Sequence, residues 1–65
     1  MQELLSLLER LKSAQRDLVL SAAKLSMLPS DGMLRKISDL ENTIAAVEAL
    51  LQEARSSAGR HAKAG

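Results

Sequence analysis

Cysteine is absent from this 65-residue chain, so neither a disulfide framework nor a thiolate metal site can form. Phenylalanine, tyrosine and tryptophan are absent too. Their loss removes the large side chains that usually supply core area, stack on nucleobases and anchor interfaces. No run of about 18 apolar residues occurs, which excludes a membrane-spanning helix and predicts no membrane insertion. Met1 leads directly into Gln2, Glu3 and Leu4 without a basic start, so no signal peptide is expected and the cytoplasm is the expected location. Neither charge sign dominates: nine Lys and Arg stand against eight Asp and Glu, a net charge of +1. A general attraction to nucleic acid or to an acidic membrane is therefore not expected.

Chemistry is equally sparse. Catalysis needs converging nucleophiles, acids, bases or metal ligands, and the chain has one histidine, His61, close to its C-terminal end. Asp39, Glu41, Glu48 and Glu53 are spaced as solvated residues of a helix face, with no His or Cys to complete a metal site. Gly32 stands alone and cannot form a phosphate-cradling loop. The expectation is a non-enzyme without catalytic residues, metal or cofactor.

What remains is Leu, Ala, Ile, Val and Met, the vocabulary of helices. From residue 4 the apolar positions recur at spacings of three and four through Leu4, Leu7, Leu11, Ala14, Leu18, Ser21, Leu25 and Leu28, with Ala22 repairing the polar slip at Ser21. The same spacing returns in Met33, Ile37, Leu40, Ile44, Val47, Leu51, Ala54 and Ala58. Two such seams predict two helices packed along their length. Between them lies the single proline, Pro29, which lacks an amide hydrogen and holds Leu28 out of helical geometry. Ser30 or Asp31 suits the cap of the next helix, and Gly32 suits its first turn. The sequence thus predicts an all-α, antiparallel two-helix hairpin over residues 1–58. Helix 1 is placed at about 2–28, a short turn at Pro29, Ser30, Asp31 and Gly32, and helix 2 at about 33–57. Residues 59–65 are expected to be a disordered tail, with an anchoring role for Arg60, His61 and Lys63 the less favoured alternative.

The predicted hairpin core is Leu11, Leu18 and Leu25 against Ile37, Leu40, Ile44, Val47 and Leu51. A turn near residue 31 sets Leu25 level with Ile37, Leu18 with Ile44, Leu11 with Leu51, and Leu4 with Ala58. The run "LLSLL", residues 4–8, then has no large partner in its own chain. Other apolar residues lie off the seams as well. The predicted interface with a partner or a second copy is Leu4, Leu5, Leu8, Val19, Leu20, Met27, Leu34 and Leu50. Sheltering half a dozen such side chains contributes several kcal/mol at roughly 25 cal/mol per Å², comparable to the whole stability of so small a domain. Association is therefore expected. "LLSLL" also satisfies an L-x-x-L-L docking pattern, which any leucine-rich amphipathic helix produces; the packing reading is preferred. Four basic against three acidic residues give residues 2–28 a charge of +1, and three against five give residues 31–58 a charge of −2. Arg10, Lys12, Arg16 and Lys24, interleaved with acids, read as a solvated face rather than a phosphate-binding one.

The run "KLSMLPSDGMLRKISDLENTIAAVEALL", residues 24–51, resembles the helical hairpins of bacterial type III secretion. In needle subunits of that system a Lys-Leu-rich helix end precedes a proline-containing loop and a leucine-rich second helix; Lys24, Leu25, Pro29, Ser30, Asp31, Leu34 and Leu40 fit. Gly32 departs from that pattern, where a second proline is common, as do the missing aromatics and the missing longer C-terminal segment. The short length and "LENTIAAVEALL" are instead similar to the small hairpin co-chaperones that hold the needle subunit in the cytosol. That resemblance implies a cytosolic co-chaperone whose apolar faces pack on a helical chaperone or secretion subunit. Two other readings of the same residues stand beside it: a homodimeric four-helix-bundle regulator of the RNA-binding kind, and a structural coiled-coil subunit of a larger assembly.

Overall fold

The computed structural model describes the backbone of residues 1–64 and the side chains of residues 1–57. Two helices, α1 (Gln2–Ala23, 22 residues) and α2 (Asp31–Ala64, 34 residues), pack against each other as an all-α hairpin. The molecule is a rod of 58 × 17 × 14 Å. Its long dimension is set by α2, which at 1.5 Å per residue accounts for about 51 Å.

Helix α1 starts at Met1, whose carbonyl accepts from the amides of Leu4 and Leu5, each at 3.1 Å. Met1 provides no side-chain cap, and Glu3 in the first turn places its carboxylate at the positive end of the helix. The helix closes at Lys24. There the amides of Lys24 and Leu25 donate to the carbonyls of Ser21 and Ala22 at 3.2 and 3.1 Å, the tightened bonds usual in a last turn. This end lies several residues before the predicted one near 28. Pro29 bars helical geometry only at Leu28, so the proline itself does not account for the earlier stop. The connection is residues 24–30.

Helix α2 is capped as its sequence suggests. Ser30 Oγ accepts from the amide of Met33 at 3.2 Å, and the Ser30 carbonyl accepts from Leu34 at 3.0 Å. Asp31 and Gly32 lie in the first helical turn rather than in the turn proper. At the other end the backbone stays helical through Ala64, where disorder was expected from residue 59. Ala58, Ala62 and Ala64 favour the helix, and one interior glycine such as Gly59 weakens it by only about 1 kcal/mol. The side chains of Arg60, His61 and Lys63 lie outside the described residues, and Gly65 lies outside them altogether.

The core is small: Ile44 and Val47 are each 5% exposed and Leu51 8%. All three sit on α2, whose inner row of Met33, Ile37, Leu40, Ile44, Val47, Leu51 and Ala54 follows the predicted seam. Helix α1 answers with the half-buried Leu4, Leu7, Leu8, Leu11, Gln15, Leu18 and Ala22. Two predicted seam positions, Ala14 and Ser21, are exposed, and their C-terminal neighbours Gln15 and Ala22 take the inner places. From Leu11 onward the inner row runs in steps of four, three and four, so the heptad holds with a different phase.

Leu25 is corrected out of the core. It lies in the connection, 49% exposed, because α1 has already ended. The register moves with it. Lys12 Nζ bridges Glu48 Oε2 at 3.3 Å, and Gln15 Nε2 donates to Glu41 Oε2. Those pairs set Leu11 near Val47 and Leu4 near Ala54, about one turn earlier on α2 than predicted. With Leu51 now beside Leu8, the "LLSLL" run does find a large partner in its own chain.

Candidate interaction surface

Because α1 and α2 bury one stripe each, their flanks carry what is left. Residues seven apart on a helix stand nearly above one another, the drift being only about 20° per heptad. On α1 this aligns Leu5, Lys12 and Val19; on α2 it aligns Leu34, Glu41, Glu48 and Arg55. The Lys12–Glu48 ion pair fixes the two rows to the same side of the hairpin. At its terminal end Leu5 and Leu8 line a shallow groove with Glu48, Leu51, Gln52 and Arg55. Lys12 and Glu48 are each about half exposed, 56% and 51%, so the ion pair contributes on the order of 0–1 kcal/mol and serves more to mark register than to hold it.

The predicted interface residues therefore do not form one patch. Leu5, Val19 and Leu34 are exposed on the side just described, whereas Leu4 and Leu8 are half-buried against α2. Leu50 is exposed on the opposite flank, in line with Thr43 and Lys36. There Leu18 and Leu40 form the floor of a second shallow groove edged by Lys36, Asp39 and Thr43. Leu20, also exposed, lies on the outer side of α1, two residues beyond the inner Leu18.

Met27 is in the connection and 78% exposed; its neighbour Leu28, placed on the seam by spacing, reaches 84%. The signal for Leu28 was present in the following proline, which ends seam geometry one residue earlier. The charged and polar bridges Lys12–Glu48 and Gln15–Glu41 were also legible only as types: residues flanking a seam pair once the register is known, and the register was not.

Among the described residues no three His, Cys, Asp or Glu side chains gather where a metal could bind, and no buried polar side-chain atom lacks a partner. No helix among them is long and apolar enough to cross a membrane. The grooves are open and shallow, suited to contact with a side-chain ridge rather than to enclosing a small molecule. Comparison with known proteins finds no family model that matches this chain, and neither a curated protein nor a solved structure that matches it.

Proposed function

We propose that this chain is a non-catalytic helical interaction module that acts as a cytosolic co-chaperone, packing its unpaired apolar side chains on a helical partner. One observation carries the reading. Among the described residues three are buried as a core and nine large apolar side chains stay exposed, Leu28 and Met27 the most open of them. Large apolar side chains left open in this number on so small a chain are surface that a partner can shelter, the adjacent Met27 and Leu28 above all. A helix-in-groove contact shelters it while denying the partner's groove to other helices. The resemblance of residues 24–51 to type III secretion hairpins gives the partner its class: a helical-repeat chaperone or the self-polymerising subunit that such a chaperone holds.

Affinity capture from the native cell, with mass-spectrometric identification, tests this. The expected result is a helical chaperone or secretion subunit in equimolar amount, lost when Met27 and Leu28 are both changed to Glu. Recovery of the bait with no other protein, or salt-sensitive recovery of RNA, would overturn the co-chaperone reading in favour of a homodimeric regulator.

A further inference from the structure

The flank bearing Leu5, Lys12 and Val19 on α1 and Glu41, Glu48 and Arg55 on α2 is self-complementary. We infer that it is the contact face of an antiparallel homodimer, in which a second copy of this chain lies across it with its turn at the opposite end. The inference stands apart from the co-chaperone reading, since the flank and the turn residues Met27 and Leu28 are different surfaces probed by different variants.

The symmetry follows from positions. Lys12 stands midway between Leu5 and Val19, seven residues from each, and Glu48 stands midway between Glu41 and Arg55, again seven from each. Lys12 and Glu48 are bound to one another at 3.3 Å, so the midpoints of the two rows lie within about a turn of each other along the rod. A two-fold axis through that pair, perpendicular to the helices, exchanges the ends of both rows at once. It lays Leu5 over Val19 of the second copy and Arg55 over Glu41 of the second copy, each contact occurring twice as an isologous interface requires. Apolar thus meets apolar and cation meets anion. Among the described residues Arg55 has no ion pair within its own chain, so a guanidinium is free for the carboxylate across the interface. The two Lys12 side chains approach at the axis, each already neutralised by its own Glu48.

The opposite flank lacks the charge pattern, its α2 row of Lys36, Thr43 and Leu50 carrying a cation and no anion. Pairing through the flank described here turns two hairpins into a four-helix bundle, in which α1 packs on both α2 and the α1 of the second copy.

Sedimentation equilibrium of the purified chain at micromolar concentration, with circular dichroism to follow helix content, tests the assignment. The wild type is expected at twice 7.0 kDa. Arg55→Glu alone, or Glu41→Arg alone, sets like charges opposite each other and is expected to weaken dimerisation about tenfold or more. The exchanged double variant E41R/R55E restores the pairing and should return to within about threefold of wild type, a recovery that binding through any other face does not produce. Leu5→Glu should yield a helical species of half the mass. A wild type that stays at 7.0 kDa, a dimer indifferent to the single reversals, or a double variant as weak as the worse single one would each overturn the proposal. None of these results depends on whether a cellular partner is captured, so the two readings fail separately.

Discussion

Replacing Ile44 by Ala probes how much of the molecule depends on its three-residue core. Ile44 is 5% exposed, and the change removes three carbons from the middle of the inner row of α2. At about 0.8 kcal/mol per buried carbon the transfer term is roughly 2.4 kcal/mol. The unfilled space adds to this, though only modestly, because a two-helix layer open on both flanks can close on the gap; about 2–3 kcal/mol is the expected loss, at the low end for such truncations. Set against roughly 3–10 kcal/mol for a chain of 65 residues, that is a large share of the total. Urea titration followed by far-ultraviolet circular dichroism reads it directly. With a slope near 1 kcal/mol per molar, typical of small proteins, the midpoint falls by about 2 M. The comparison variant is Leu28→Ala, whose side chain is 84% exposed. It should shift the same curve by less than about 0.5 kcal/mol. Both titrations belong at one fixed protein concentration, because association adds to apparent stability. Equal midpoints for the two variants would refute the placement of the core between α1 and α2.

Gly32 has an ordinary helical backbone, and a Cβ added there meets nothing closer than Ser30 Oγ at 4.0 Å. Gly32→Ala is therefore expected to stabilise the hairpin by about 0.5–1 kcal/mol, seen as a raised urea midpoint; a lowered one would show that glycine is required at this position. Ser30→Ala removes the acceptor of the Met33 amide and should destabilise by about 1 kcal/mol in the same assay, with most of the loss recovered in Ser30→Asp. Gln15→Leu puts an apolar side chain at a half-buried inner position and gives up one exposed bond to Glu41, so the thermal midpoint is expected to rise; a fall would mean that the Gln15–Glu41 bond outweighs the apolar gain. Spin labels at Arg16 and Asn42 should report a short separation that survives Gly32→Ala but lengthens when Pro29 is also replaced, since Pro29 is the one residue of the connection without an amide hydrogen to give a continued helix.

The packed face of helix α2 was legible residue by residue, its two ends less so. Its inner row alternates steps of four and three without a polar intruder, and Ser30 sits where a cap is needed. Helix α1 was harder because two phases compete after Leu11. Spacing favours Ala14 and Ser21, each small enough to read as a weak seam residue, over Gln15 and Ala22. Gln15 reaches Glu41 across the pair, a non-local bond that no property of residues 11–18 alone announces. The connection failed for a geometric reason. A proline states where helical geometry must stop but not whether the helix ends sooner, and an error of a few residues there propagates into the register of the pair. The interface residues moved accordingly, with Leu4 and Leu8 gaining cover from α2 while Leu28 lost it.

That shift bears on why the chain carries so much uncovered leucine. Had "LLSLL" remained without a partner, association would have been needed to bury the terminal end of α1. Leu51 and Ala54 now lie beside that end, and the unmet surface is displaced to the flank through Leu5 and Val19 and to the turn through Met27 and Leu28. Leu8 and Gln15 are shared between the inner row of α1 and the row that adjoins its flank, at spacings of seven in both. A helix with two such adjoining rows packs on two neighbours, and the hairpin supplies only one. In the proposed dimer the second neighbour is the same flank of a second copy, whose apolar ends divide evenly around a neutral Lys12–Glu48 centre.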